Sequence, residues 1–167
     1  MATETAETTT GTGLGSIDST QWLAGAAGGF LGSVLFGLVM QYVMPPPLLE
    51  TVIPAMYGIE GPALAAGWAI HQFHGVALGL AYVALVQFDP FKEPARRIGG
   101  SLALGVAYGV LTTIGLAVIV MPLWLQAVGF PMAPPFPNVA FPGTVLSLVG
   151  HIVYAIPVAL AYAVITE

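Results

Sequence analysis

The chain has 167 residues, none of them cysteine, and only three of them carry positive charge. The lack of a thiol excludes disulfides, thiolate nucleophiles and cysteine-ligated zinc or iron–sulfur centres. The cations Lys92, Arg96 and Arg97 all lie in one short stretch. Phosphate binding needs clustered basic residues in number, and three on a chain of net charge −5 are too few, so nucleic acid is not an expected partner. Charged residues of both signs make up 7% of the chain and hydrophobic ones 57%, whereas about a quarter of a soluble domain is charged. The lipid bilayer is therefore the expected solvent and partner. The eight carboxylates, Glu4, Glu7, Asp18, Glu50, Glu60, Asp89, Glu93 and Glu167, all fall outside the apolar runs. Proton-coupled transporters ordinarily carry Asp or Glu inside the membrane, so carboxylate-based pumping is disfavoured. P-loop, metalloprotease and nucleophile signatures are also missing, which favours a non-enzymatic protein.

What remains is apolar sequence cut into four lengths. Residues 1–20 are small, polar and acidic, too poor in apolar groups to offset the entropy of ordering, and are expected to form a disordered cytoplasmic tail. The acidic, Thr-rich tail and the near-absence of lysine suit a halophilic archaeon. Residues 21–167 then read as one transmembrane domain. Four charge-free runs follow: Trp22–Met44, Ala63–Gln87, Ile98 to about Val120, and Thr144–Ile165. Each is long enough, at about 1.5 Å per residue, to cross a hydrocarbon core of about 30 Å, and each is bounded by proline, charge or both. Continuous apolarity, as opposed to alternation, argues against a β-barrel. The expected fold is all-α, a four-helix transmembrane bundle.

The three basic residues share the loop between the second and third runs, which places that loop on the cytoplasmic side of the cell membrane. Both termini are then cytoplasmic, and the proline-rich loops Pro45–Pro62 and Pro122–Pro142 face outward. These loops are too apolar for plain linkers, and short interfacial helices or re-entrant turns are expected in them.

The halves match one another. Gly28 and Gly32 pair with Gly105 and Gly109, and Met44-Pro45 with Met121-Pro122; beyond a three-residue lengthening, His71 pairs with His151 and the triplet Leu80-Ala81-Tyr82 with Leu160-Ala161-Tyr162. The bundle thus reads as two parallel repeats of a helical hairpin, residues 22–87 and 98–165, related by a pseudo-twofold axis along the membrane normal.

Chemistry concentrates in the second and fourth runs. Gly67, His71, Gly75 and Gly79 are spaced by four, so they form one helical stripe, and Ser147, His151, Ala155 and Ala159 form its counterpart. Small residues at this spacing, with Gly28, Gly32, Gly105 and Gly109, let membrane helices approach closely. They also leave room for a flat cofactor. All three histidines lie in apolar runs, and ionisable groups there are functional candidates by default. Three readings stand open. His71, His74 and His151 are neutral imidazoles that hydrogen-bond across helices; or His71 and His151 are axial ligands of a b-type haem; or the three histidines line a polar path or bind a metal ion.

The segments GWAIHQFHG and GHIVYAIPVALAY, and nearly everything after the tail, resemble a family of small four-span membrane proteins found in bacteria and especially in haloarchaea. The resemblance implies the same four-helix fold and supplies no activity, substrate or cofactor. The function expected is that of a non-enzymatic structural or accessory subunit, as a homo-oligomer or within a membrane complex, with a haem-binding electron-transfer subunit and a small solute or ion channel or carrier as alternatives.

Overall fold

The computed structural model describes residues 17–44 and 48–166. Most of the expected tail, and the prolines Pro45, Pro46 and Pro47, lie outside the described residues. Among the described residues all regular secondary structure is helical. The elements are α1 (Ser19–Tyr42), α2 (Ile53–Ala55), α3 (Leu64–Leu85), α4 (Lys92–Ala95), α5 (Ile98–Thr112), α6 (Met121–Ala127) and α7 (Gly143–Thr166), with π-helical segments at Leu48–Val52 and Thr113–Val120. Three helices, Ser19–Tyr42, Ile98–Ala127 and Gly143–Thr166, are long and apolar enough to cross a membrane. α3 has 22 residues and no formal charge, but His71, Gln72 and His74 interrupt its apolar run and set it apart from those three.

α1 starts inside the segment expected to be tail. The Asp18 carboxylate accepts from the Thr20 N–H at 2.9 Å, and the Gln21 side chain accepts from the Asp18 N–H at 3.2 Å. This capping box satisfies N–H groups that the first turn otherwise leaves open. Ser19 and Thr20 are helical as a result.

A larger departure concerns the third run, expected to end near Val120, ahead of Pro122. The helix continues instead to Ala127. Met121 donates to the Leu116 carbonyl five residues earlier, so in this register the proline at position 122 leaves the Ala117 carbonyl without its donor, and the return to α spacing leaves Val118 open beside it. Asn138, in the following loop, donates its backbone N–H to Val118 O at 3.0 Å and its Nδ2 to Ala117 O at 3.3 Å. The loop supplies the missing bonds, and the chain stays helical through a stretch widened to π geometry.

Helix packing is set by glycines. A Cβ on Gly25 or Gly29 of α1 would strike the Gly79 or Gly75 carbonyl of α3, and one on Gly28 or Gly32 would strike the α7 backbone at Pro157 or Tyr154. Gly105 and Gly109 of α5 lie against Ala159 and Ile152 of α7, while Gly67 sits on the Leu49 carbonyl of the π-helical segment Leu48–Val52. α1 therefore packs along both α3 and α7, and α7 along both α1 and α5, whereas α3 and α5 barely touch. The two halves are packed unequally: Gly28 and Gly32 face the opposite half, and their counterparts Gly105 and Gly109 face their own. Space is left where α3 and α5 would otherwise meet.

The outward surface is apolar, with Leu23, Phe30, Leu31, Phe73 and Leu111 all exposed. Inside, polar groups are mostly paired, with the buried Tyr82 hydroxyl an exception. Ser101 Oγ donates to the Ala159 carbonyl at 2.7 Å, and Thr112 and Thr113 bond back to carbonyls of their own helix. Short helices in the first outer loop, Leu48–Val52 and Ile53–Ala55, and α4 in the basic loop complete the chain.

Candidate functional site

The space between α3 and the Ile98–Ala127 helix is a cavity of about 540 Å³. Two tyrosine hydroxyls tie its inner end across to α3: Tyr154 of α7 donates to the Gly75 carbonyl and Tyr108 of α5 to the Leu78 carbonyl, each at 2.8 Å. Phe36 and Met40 of α1 form the back wall, Leu116, Val120 and Trp124 form one side, and His71, His74 and Leu78 the other; Ser147 and His151 complete the lining from α7. Met56, from the segment before α3, and Met132 and Asn138, from the segment between α6 and α7, close over it. No formally charged residue is among the lining residues.

His71 is fixed between two helices. Its Nε2 lies 2.9 Å from the Ser33 carbonyl of α1, while Ser33 Oγ lies 2.9 Å from Phe30 O and 2.5 Å from Gln72 Oε1. The carbonyl can only accept, so Nε2 carries the proton and Nδ1 keeps its lone pair in the neutral ring. His151 is held differently, its Nδ1 lying 2.8 Å from the Ser147 carbonyl of its own helix. That bond does not cross helices. His74 faces the segment between α2 and α3, where its Nε2 and the Tyr57 hydroxyl are 2.5 Å apart, and the Tyr57 ring packs 5.4 Å from Trp124. His71 and His151 share one neighbour, Phe36, whose ring centroid is 5.7 Å from the first imidazole and 4.8 Å from the second.

The residues do not fit a haem held between His71 and His151. Ligation through His71 Nε2 would break its bond to Ser33, and Phe36 packs against both imidazoles. Gly75 and Gly79, the positions expected to make room for a macrocycle, are filled by the Ser33 side chain and the Gly25 carbonyl. Nor do the three histidines converge, since no group of three His, Asp or Glu side chains among the described residues is placed to hold one ion. Ser147 Oγ lies 3.3 Å from His151 Nδ1, but that nitrogen is already committed to the Ser147 carbonyl, so no base faces the hydroxyl.

No protein-family model, curated protein or solved structure matches the chain. The cavity is thus the functional landmark.

Its composition holds a feature that the histidine stripes do not show. Every methionine after Met1, namely Met40, Met44, Met56, Met121 and Met132, lines this one cavity. They come from α1 and its C-terminal end, the segment before α3, α6 and the segment after it, and only the four-residue spacing of Met40 and Met44 is a signal visible along the chain. Trp124 and Asn138 join them from segments that in sequence read only as a span end and a loop.

Proposed function

We propose that this is a non-enzymatic, multi-pass cell-membrane protein that binds a small, largely apolar molecule between α3 and the Ile98–Ala127 helix. One observation carries this reading: an intramembrane cavity of about 540 Å³ with apolar walls and a few convergent polar groups, His71, His151, Ser147 and Tyr154. That is the make-up of a small-molecule site, whose volumes run from about 300 to 1,000 Å³. The missing carboxylates and the absence of a base facing Ser147 support binding over catalysis.

In this reading α1, α3, the Ile98–Ala127 helix and α7 form a four-helix bundle of two duplicated hairpins. The loop of Lys92, Arg96 and Arg97 and both termini lie on the cytoplasmic side. The cavity then occupies the outer half of the bundle beneath the proline-rich loops, and its ligand enters from outside or from the outer leaflet. Lipid, and a second copy or partner subunit, cover the outward apolar residues.

The test is a titration of the purified protein in detergent with the apolar fluorophore Nile red. Saturable binding is expected, weakened at least tenfold in Leu116→Trp and Ala117→Trp, which add bulk at the cavity wall. Absence of saturable binding in the wild type, or equal binding by all three proteins, would overturn the reading.

A further inference from the structure

We propose that the cavity binds a soft monovalent cation of the copper(I) class through methionine thioethers and imidazole nitrogen. The proposal rests on the cavity being a ligand site and names a chemistry for it. Five thioethers from four separate segments gather on one cavity in a chain whose sixth methionine is Met1. Thioethers are soft ligands that select copper(I), and a chain without cysteine has no softer donor to offer. No carboxylate lines the same cavity, so calcium, magnesium and manganese would find none of the hard, charged oxygen they prefer.

The histidines add a second, independent observation. His71 gives one ring N–H to the Ser33 carbonyl and His151 gives one to the Ser147 carbonyl. Ligating histidines are ordinarily held in this way, the remote N–H bonded to a carbonyl and the other nitrogen turned to the metal. Among the described residues no hydrogen bond reaches His71 Nδ1 or His151 Nε2, so each ring keeps an uncommitted lone pair. An imidazole is also a copper ligand, and Met–His sets suit its reduced, monovalent state.

A polar recess adjoins the cavity. A smaller cavity of about 260 Å³, lined by Glu50 and Gln41, shares Met40, Met44 and Leu48 with the main one. A carboxylate at that outer position, on a chain of formal net charge −5, concentrates cations at the mouth. The ion then exchanges a hydrated carboxylate for thioethers as it moves inward.

The experiment uses the full chain in chloride-free detergent buffer, with silver(I) nitrate as a redox-inert probe and copper(I) held reduced by ascorbate in competition with bicinchoninate. About one ion per chain is expected, with no zinc(II) bound at the same concentration. Met40→Leu combined with Met121→Leu should weaken silver binding at least tenfold, since leucine conserves volume while removing the sulfur. Met44→Leu with Met121→Leu is the second variant, used if the first loses its cooperative melt. His151→Ala should also weaken binding. Silver affinity unchanged in a folded double variant, or zinc(II) bound as tightly as silver(I), would overturn the proposal. Nile red binding without silver binding overturns this proposal alone; loss of both in the wild type overturns the ligand cavity itself.

Discussion

The Asn138 backbone N–H donates to the Val118 carbonyl at 3.0 Å and its Nδ2 to the Ala117 carbonyl, the group that Pro122 leaves without a helical donor. The loop between α6 and α7 is thereby stitched to a transmembrane-length helix, at the wall of the cavity. Asn138→Ala removes only the side-chain bond to Ala117 and should lower stability in detergent by about 0.6 kcal/mol, the average for such bonds in membranes. Pro122→Ala restores an N–H that competes with the Asn138 side chain for the Ala117 carbonyl and loosens the loop. Hydrogen exchange at the Asn138 amide should then quicken by about tenfold or more, and an unchanged rate would contradict the stitching.

The interhelical glycines differ sharply in the room around them. Gly29→Ala places a methyl on the Gly75 carbonyl, and Gly79→Ala places one on the Gly25 carbonyl. Each should cost about 1–3 kcal/mol, the usual range for overpacking. Gly115 has nothing within 4 Å of the added methyl, so Gly115→Ala should leave stability unchanged or raise it by up to about 1 kcal/mol through helix propensity. Thermal melts of the three variants in one detergent provide the comparison.

His71 and His151 occupy matching places in the sequence yet do different work. His71 joins α3 to the Ser33 carbonyl of α1, while the bond of His151 stays within α7. His71→Leu should therefore lose about 0.6 kcal/mol more than His151→Leu, being the variant that severs an interhelical bond. Equal melting temperatures for the two variants would show that the contact to Ser33 adds nothing.

Asp18 lies at the solvent-exposed start of α1. The Thr20 backbone N–H, then the Thr20 and Ser19 side chains, hold its carboxyl below the ordinary value of 3.8. A carboxyl lowered in the folded state stabilises above its unfolded value and loses that contribution as pH falls through the folded one. The first turn of α1 should consequently fray in acid, below about pH 4, measured as faster amide exchange at residues 20–22 at low pH after correction for the intrinsic rate. Asp18→Asn keeps a capping side chain without a titrating group, so its corrected exchange should not change over the same interval.

The helices were legible in the sequence to within a few residues at most ends, because apolar runs and the charges that bound them are local properties. α3 and α7 begin at Leu64 and Gly143, one residue from where Pro62 and Pro142 place the runs, and α5 begins at Ile98 just beyond Arg96 and Arg97. The glycine stripes were visible for the same reason: spacing by four needs no partner to be recognised. The exceptions have remote causes. Nothing near Pro122 announces that the helix survives it, since the compensating donor is sixteen residues downstream at Asn138.

The sequence by itself determined an all-helical chain with membrane-crossing segments, close-packing faces and no carboxylate within its apolar runs. Composition and periodicity suffice for that. Only the tertiary structure decided that the glycine-bearing helices pack unequally, with α1 lying against both α3 and α7 while few residues of α3 and α5 approach each other. That asymmetry opens the cavity, sets Phe36 against both His71 and His151, and brings Met40, Met56, Met121 and Met132 together from distant segments. Sequence spacing cannot reveal such a gathering, because it depends on which helix faces are left unpaired once the glycines have fixed which pairs touch.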